Sequence, residues 1–449
     1  MDIQLPAKTY HTLLDSGMST LKQDDILTRI WSKDHTVWKP EPDEIINRLG
    51  WLTIAERMEK EIPRLDKLRK EIELEGISQI ILLGMGGSSL AAEVFSRIFT
   101  DSALELQVVD STHPEYLRKV RDSLEPDQTL FIVATKSGST VETLSFFKFF
   151  YRWMIERLGE KQTGKHFIGI TDPGSDLVDL ASRYQFRELF LNDPEIGGRY
   201  SALSFFGLVP ASLLGIEFPA ILDSARETAE RCRTDPEADF NPGLRLGNAL
   251  GLLAANGRNH ITFFSSPGLE SFPHWAEQLL AESTGKEGKG LLPVIEEQPA
   301  APESYQNQRV FISLQLADED HPLERIQALE DGGHPVIRIE IEHREQLGGL
   351  FFLWEMATAV AGHHLGINPF DQPNVESAKR RAKQHVEQYR RTGQLVRGKS
   401  KRVELQVLDS FLDNYLKPGG YLAIQAYLPP TTDVKKKLHG WQRSLQERY

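Results

Sequence analysis

Two short turns rich in glycine and hydroxyl groups are suited to hold an anion. The first, GMGGSS (84–89), follows an apolar run and opens a helical pattern, with Gly87 and Ser88 inside it. Glycine lets backbone approach a ligand closely, and unpaired amides at a helix start attract negative charge. Because residue 89 is Ser, the turn is not the dinucleotide fingerprint, and the nucleotide P-loop signature is absent. The turn predicts a phosphate carried by a small molecule, although a tight turn alone could also use these glycines.

The second turn, ATKSGSTVET (134–143), also lies between a strand-like run and a helical pattern. One Ser or Thr is enough to cap a helix, so the remaining hydroxyls and the lysine indicate oxyanion binding. Two such turns at the carboxyl ends of strands in one parallel sheet would face a common crevice. The residues of this second turn that we expect to contact an anion are Thr135, Lys136, Ser137, Gly138, Ser139 and Thr140.

An acid and a cation elsewhere in the chain could act on a bound ligand. Gln278 and Glu282 stand four residues apart, so they share one face of a helix that should end at the following Ser-Thr-Gly. A carboxylate at that end could reach a cleft, although a solvated helical glutamate would show the same spacing. Arg199 follows a Gly-Gly pair at the start of a long apolar helical stretch, where it could stabilise negative charge or pair with a carboxylate.

A further polar pair lies in GINPFDQPNVESAKRRAKQ (366–384). Gln372 precedes a helical pattern, and Lys379 lies seven residues further on, about two helical turns away on nearly the same face. The alternative for Lys379 is a solvated basic stripe, because several arginines and lysines follow it.

The elements that would position these residues follow an alternating pattern. From Ile77 onward apolar runs alternate with helical segments, and a weaker second series follows residue 255, which favours α/β architecture with parallel sheets covered by helices. We therefore predict a helical N-terminal segment (1–75), a first domain (76–235), a second domain (236–400) and a C-terminal extension (401–449). In that extension we expect a turn, a strand and a basic final helix.

Composition narrows the class of protein. The 449 residues exceed one ordinary core, and 52 Lys and Arg against 64 Asp and Glu give a charge of −12, which argues against nucleic acid and anionic membrane as partners. The single cysteine, Cys232, cannot form an internal disulfide and is expected to be inert, which fits a reducing cytoplasm. We see no secretion signal and no run of about 18 apolar residues, so neither export nor membrane spanning is expected.

Five segments, in this order, resemble the motifs of the glucose-6-phosphate isomerase family: GMGGSSLA, ATKSGSTVET, GGRYSALSFFGL, QLLAESTGK and GINPFDQPNVESAK. The chain looks most similar to the isomerase portion of fused transaldolase/glucose-6-phosphate isomerase proteins. This resemblance implies two sugar isomerase (SIS) domains, each a flavodoxin-like three-layer αβα sandwich. It also implies a cytoplasmic aldose–ketose isomerase of glycolysis and gluconeogenesis that needs no cofactor or metal. Its sites would lie near a homodimer interface, and association with a transaldolase is a further possibility.

The same resemblance assigns roles to residues. Glu282 resembles the base that moves a proton between C2 and C1, and Arg199 the group that stabilises a cis-enediolate. Lys379 resembles the lysine near the ring oxygen. In the phosphate loop, Thr, Ser, Gly and Ser replace the family's more usual Ser, Thr, Phe and Thr. The other matched positions are Gly87 and Ser88 in the sugar-contacting turn, Thr135 to Thr140 in the phosphate loop, Gln278 beside the base, and Gln372 on the phosphate side.

One family feature is missing from the sequence. Family members usually supply a ring-opening histidine from a segment resembling GQHxxxQLxHQG, which this chain lacks. His321 lies at the expected distance, but its neighbours do not match and a surface histidine is the alternative, while His274, His363 and His364 have the spacing of packed helix residues. The fused proteins continue past the position of Tyr449 with a Gly- and His-rich segment. The missing segment leaves a non-catalytic phosphosugar sensor as an alternative. A second alternative is an isomerase of broader range that also takes mannose 6-phosphate, because the sequence does not give the shape of the pocket around C2.

Overall fold

The computed structural model describes residues 1–6, 8–102, 104–234, 241–297, 299–320, 322–372, 375–394, 405–417, 420–429 and 431–448. The chain divides into two compact units, residues 1–371 and 372–449. Across the described ranges, no helix is both long enough and apolar enough to cross a bilayer. The domain boundaries at 75, 235 and 400 stay predictions.

Strands and helices alternate through the first unit, as the hydrophobic pattern predicts. The strands are β1 (Asp2–Gln4), β2 (Gln79–Gly84), β3 (Glu105–Val109), β4 (Thr129–Ala134), β5 (Phe167–Thr171), β6 (Glu188–Leu191), β7 (His260–Ser265), β8 (Leu292–Val294), β9 (Arg309–Leu316) and β10 (Val336–Ile341). The helices are α1 (His11–Gln23), α2 (Ile26–Trp31), α3 (Ile54–Met58), α4 (Ile62–Leu74), α5 (Leu90–Ile98), α6 (Pro114–Asp122), α7 (Val141–Leu158), α8 (Glu160–Thr163), α9 (Asp176–Arg183), α10 (Phe205–Leu213), α11 (Phe218–Thr234), α12 (Pro242–Ala255), α13 (Phe272–Thr284), α14 (Leu323–Asp331) and α15 (Leu347–Leu365).

The first sheet is fully parallel, with strand order β3-β2-β4-β5-β6. Counted from its own first strand, this is the flavodoxin-like order 2-1-3-4-5. Alternate side chains of β2 enter different cores: Ile80 and Leu82 pack on one face and Ile81 and Leu83 on the other. Helices cover both faces, which explains why the strands are continuously apolar. The three-layer αβα arrangement expected from the sequence is therefore confirmed.

The second sheet has the order β1-β10-β9-β7-β8. Its strands are parallel except β1, which pairs antiparallel with β10, so that Ile3 lies opposite Ile339. The N-terminal segment, which was predicted to be helical, contains this strand as well as α1 to α4. The short strands β6 and β8 were also not predicted. Three or four residues are too few to show a periodic pattern, and the partner of β1 lies more than 300 residues away in the chain.

A continuous core joins the inner faces of the two sheets. Helix α15 is buried along nearly its whole length, because it packs against α11, α12 and α13. Its residue Glu355 is fully buried with both carboxyl oxygens unpartnered among the described residues. Burial raises the pKa of Glu355 well above its usual range.

The second unit contains α16 (Val375–Thr392), α17 (Leu405–Tyr415) and α18 (Thr432–Arg448), so the basic final helix is confirmed. The strand expected before it is wrong: residues 420–429 form no strand, and most of them are exposed. An apolar run forms a strand only where a neighbouring strand can pair with its backbone groups.

Candidate active site

The two predicted anion-binding turns begin side by side. Gly84 at the end of β2 lies opposite Ala134 at the end of β4, and the strand order of the first sheet reverses between these two strands. Ligands of open α/β sheets bind at this kind of switch point, beyond the carboxyl ends of the strands. The prediction that the two turns share one edge of one sheet is therefore confirmed.

The hydroxyl groups of the second turn bond to one another. The Oγ1 atoms of Thr135 and Thr140 lie 3.0 Å apart, and the Ser139 hydroxyl donates to Ser137 Oγ at 3.0 Å. Ser137 and Ser139 are exposed, whereas Gly138, at φ 67°, is buried against the start of α9. These hydroxyls can rotate toward an incoming anion, because their partners in the absence of a ligand are other hydroxyls of the same turn.

Lys136 extends from this turn toward the β5–α9 connection. Its ammonium forms an ion pair with Asp172 and donates to the Pro194 carbonyl at 3.3 Å. Burial raises the pKa of Asp172, while the Lys136 hydrogen bond opposes that rise. In this arrangement the Lys136 side chain holds the turn in place, and its direct contact with a bound anion stays a prediction.

Arg199 is almost completely buried, with 1% exposure. Its Nε donates to Ser283 Oγ at 2.7 Å, and its Nη1 donates to Glu282 Oε1 at 3.1 Å. Its Nη2 donates to the carbonyl oxygens of Pro369 and Asp371 at 2.7 and 3.0 Å. A guanidinium carries five N–H donors. Four have partners within the described part of the chain, and the fifth lies on Nη1, the nitrogen that also binds Glu282.

The glycine turn after β2 packs directly on the Gly198–Tyr200 turn that carries Arg199. A Cβ atom at Gly87 would collide with the Gly198 carbonyl and the Arg199 amide, so this position requires glycine. Ser88 is buried beside it. Gly86, at φ 55°, lies against the Gln278 amide. The first anion-binding turn therefore contacts both the arginine turn and helix α13.

Glu282 and Gln278 lie on one face of α13, as predicted, and the helix ends two residues after Glu282. Glu282 Oε2 accepts a hydrogen bond from Gln278 Nε2 at 3.0 Å, and the Glu282 side chain is 21% exposed. Gln278 Oε1 is buried and has no partner among the described residues. A cleft of about 360 Å³ opens here, lined by Leu90, His274, Glu277, Gln278, Ala281 and Glu282.

A larger surface depression of about 850 Å³ lies beside α11 and contains none of the predicted site residues. The fifth N–H of Arg199 has no partner among the described residues and lies on the nitrogen that binds Glu282. The smaller cleft is lined by the Glu282 carboxylate. It also offers an unpartnered amide oxygen to a ligand hydroxyl. This set of groups suits proton transfer on a carbon next to a carbonyl, where negative charge develops on oxygen.

Three residues that complete this site were not assigned from the sequence. Ser283 accepts from Arg199, and the buried Lys286 forms an ion pair with the partly buried Asp371. All three lie inside the segments AESTGK and PFDQ, which were noted for other residues. In the sequence, Ser283 and Lys286 have the pattern of ordinary residues at the end of a helix. Only the structure shows that they face Arg199 and Asp371.

Other predicted residues fall at or beyond the limits of this description. Gln372 is half-buried, belongs to the second unit and precedes α16, which begins at Val375. Lys379 lies in α16, but its side chain is outside the described residues, and so is His321.

The histidines expected to pack differ in their surroundings. His363 Nδ1 lies 2.7 Å from the Val37 carbonyl, and burial lowers the pKa of His364 to about 4. His274 instead borders the cleft, with its Nε2 3.4 Å from Glu296 Oε1. Cys232 is buried, which raises the pKa of its thiol to about 12 and agrees with an inert role.

Two curated enzymes are similar to this chain in sequence. The glucose-6-phosphate isomerase of Heliobacterium modesticaldum is 26% identical over 397 residues, covering 74% of this chain and 85% of that protein. The corresponding enzyme of Staphylococcus epidermidis is 25% identical over 382 residues, with the same coverage.

Experimental structures share the fold. A hypothetical protein from Thermus thermophilus matches with a TM-score of 0.73 and 24% identity, covering 86% of this chain and 100% of that one. A glucose-6-phosphate isomerase from Chlamydia trachomatis matches with a TM-score of 0.72 and 18% identity, covering 90% of this chain and 89% of that one. The profile of the family described as phosphoglucose isomerase matches residues 60–292, more than half of the chain. The chain belongs to the phosphoglucose isomerase family.

Proposed function

We propose that this protein interconverts glucose 6-phosphate and fructose 6-phosphate through a cis-enediolate, as an isomerase of glycolysis and gluconeogenesis in the cytoplasm. The observation that carries this proposal is the pairing of Glu282 with Arg199. The Glu282 carboxylate lines the cleft, and its Oε1 lies 3.1 Å from Arg199 Nη1, the atom that carries the remaining N–H.

The reaction needs one base and one electrophile. Glu282 removes the proton from C2 of the open-chain aldose, the electron pair of that bond forms the C1–C2 double bond, and the carbonyl oxygen takes up negative charge. The remaining Arg199 N–H donates to that oxygen. Because Arg199 is fixed by four hydrogen bonds, it does not need to reorganise when the charge appears. Glu282 then returns the proton to C1 while the hydroxyl proton of O2 passes to O1, so C2 becomes the carbonyl carbon and no oxidant or reductant is consumed.

The phosphate end of the substrate supplies alignment. Binding energy from a remote group can hold the reacting carbons in place without itself taking part in the reaction. We assign this role to the turn from Thr135 to Thr140, with Ser137 and Ser139 as the exposed donors. Gly87 and Ser88 would contact the sugar, and the unpartnered Gln278 Oε1 would accept from one of its hydroxyls.

Residues of the second unit complete the proposal by resemblance. Gln372 would contact the phosphate side, and Lys379 would act near the ring oxygen when the pyranose opens. We also propose a homodimer, and an association with a transaldolase as in the fused proteins.

A coupled assay for both directions of the reaction tests this function. We expect turnover by the wild-type protein and none by Glu282→Gln, because the amide cannot accept the C2 proton. Calorimetry should show that this variant still binds glucose 6-phosphate. Glu270→Gln is the matched control, because it makes the same substitution at an exposed residue that precedes α13 and does not line the cleft.

Three results would change the assignment. Full activity of Glu282→Gln would reject Glu282 as the base. Phosphosugar binding by a wild-type protein without turnover would favour a sensor. Comparable rates on mannose 6-phosphate in a substrate panel would favour an isomerase of broader range.

A further inference from the structure

Two buried cations bind the same short segment, residues 367–371, which we name the carbonyl loop. Lys286 is 8% exposed. Its ammonium donates to the carbonyl oxygens of Asn368 and Asp371 at 2.8 and 3.0 Å, and it forms an ion pair with the Asp371 carboxylate. Lys286 therefore makes all of its described side-chain hydrogen bonds to this loop.

Arg199 binds the same loop from its Nη2 atom, through the carbonyl oxygens of Pro369 and Asp371. The Asp371 carbonyl thus accepts from both cations, at 3.0 Å each. A carbonyl oxygen has two lone pairs and can serve two donors at once. The position of the Arg199 guanidinium is therefore tied to the position of the loop, and the loop is tied to Lys286.

Other contacts hold the opposite side of the carbonyl loop. The Ile367 amide donates to the Gly362 carbonyl at 3.1 Å. The Phe370 ring packs on Trp38 and Tyr200, with centroid distances of 5.0 and 5.3 Å. These contacts hold the loop against the core, whereas Lys286 links it to the segment directly after α13. Because Glu282 lies on α13 four residues before Lys286, the lysine joins the helix of the base to the loop that holds the arginine.

The charges around this loop alternate in sign. Arg199 lies between the Glu282 carboxylate and the Asp371 carbonyl, and Lys286 lies between that carbonyl and the Asp371 carboxylate. Burial lowers the pKa of Lys286, while the Asp371 carboxylate opposes that change. The charges of the four side chains Glu282, Arg199, Lys286 and Asp371 sum to zero while Glu282 is ionised. Once Glu282 takes up a proton, one positive charge is left over to match an enediolate.

We propose that Lys286 is a positioning residue for this reaction. It fixes the carbonyl loop, the loop fixes the Arg199 guanidinium, and the guanidinium presents its remaining N–H beside Glu282. Lys286 itself does not touch the substrate. This inference rests on the proposed isomerase function.

Kinetics of Lys286→Met test this role. We expect kcat to fall by about tenfold or more, because a displaced guanidinium loses its alignment with the developing charge. KM should change less than about threefold, because the phosphate turn is not part of the loop. Lys286→Arg keeps the charge and several donors and should recover part of kcat. Lys289→Met is the matched control: Lys289 also donates to a backbone carbonyl, that of Leu365 at 2.6 Å, and this acceptor lies outside the carbonyl loop.

A double variant guards against simple misfolding. Lys286→Met leaves the Asp371 carboxylate without its partner, which is costly where it is partly buried. Lys286→Met combined with Asp371→Asn removes both charges, so it should fold while kcat stays low. Wild-type kcat in the folded double variant would overturn the proposal.

Hydrogen–deuterium exchange reports on the loop independently of activity. We expect peptides covering residues 366–372 to exchange faster in Lys286→Met than in the wild type or in Lys289→Met. An inactive wild-type protein would refute the isomerase function, and the exchange comparison would still decide whether Lys286 holds the loop. An active wild type with normal kcat and unchanged exchange in Lys286→Met would refute the positioning role alone.

Discussion

Replacement of Arg199 by lysine separates the charge of this residue from its geometry. The guanidinium distributes four hydrogen bonds over Glu282, Ser283 and the carbonyl loop, and keeps one N–H for a ligand. A lysine ammonium keeps the positive charge but has only three donors at a single point. Arg199→Lys therefore cannot serve the four existing acceptors and a substrate oxygen together.

The expected magnitudes follow from this count of donors. Loss of one preorganised donor to a developing oxyanion costs about 10²–10³ in kcat, or roughly 2.7–4 kcal/mol. At least one of the four acceptors in the protein also loses its donor, which costs about 1–3 kcal/mol of unfolding free energy when the acceptor is buried. The Asp371 carbonyl retains Lys286 as a donor at 3.0 Å, and the Pro369 carbonyl retains the Tyr200 hydroxyl at 3.5 Å. Glu282 retains Gln278, so the loss should fall on Ser283.

Steady-state kinetics and urea unfolding should be measured in parallel on Arg199→Lys and a control. Arg64→Lys is that control, because Arg64 donates to the Glu188 carboxylate at 2.7 Å and to the Leu189 carbonyl at 3.0 Å, away from the cleft. We expect both variants to lose stability but only Arg199→Lys to lose kcat. If Arg199→Lys loses stability and keeps wild-type kcat, then Arg199 is a structural residue and the reasoning is refuted.

Three further predictions concern single positions. Glu355 keeps its proton in the folded state at pH values where the unfolded chain has lost it, because burial raises its pKa. The free energy of unfolding should therefore fall as pH rises above about 4.3. The expected slope is roughly 1.4 kcal/mol per pH unit, up to the raised pKa of Glu355. Urea unfolding across this pH range should show that Glu355→Gln flattens the dependence, and an equal slope in both proteins would contradict it. Gly87→Ala should push the Gly198 carbonyl and the arginine turn away and lower kcat by at least about tenfold, and unchanged kinetics would show that the two turns need no such close approach. Ser137→Ala should raise KM roughly tenfold through loss of about 1.5 kcal/mol in phosphate binding. Ser145→Ala is the control and should leave KM unchanged, because the Ser145 hydroxyl donates to a carbonyl within α7. Equal KM values for Ser137→Ala and the wild type would show that Ser137 is not part of the phosphate site.

Local patterns were enough to predict the elements that carry the site. The turns after β2 and β4 were recognisable because glycines and hydroxyls follow apolar runs. The spacing of Gln278 and Glu282 fixed their shared helical face, and the Ser-Thr-Gly sequence fixed the end of α13. Each of these features depends on residues that are close in sequence.

Features that depend on distant residues were missed or wrong. Strand β1 (Asp2–Gln4) forms because it pairs with β10, and a three-residue strand has no sequence pattern that predicts this pairing. The carbonyl loop and Lys286 are separated by about 80 residues, so their ion pair has no local signature. The strand expected in the C-terminal extension corresponds to an apolar run that has no partner strand among the described residues. Hydrophobic patterning reports which face is buried, but not which element covers it.

Transfer of the C2 proton by Glu282 is the central claim, and proton NMR of glucose 6-phosphate in D₂O tests it most directly. In the wild-type protein we expect the C2 proton to be replaced by deuterium as the carboxyl group exchanges with solvent. In Glu282→Gln the C2 proton signal should be lost no faster than in the enzyme-free control. Loss of the C2 signal in Glu282→Gln at the wild-type rate would contradict the assignment of Glu282 as the base.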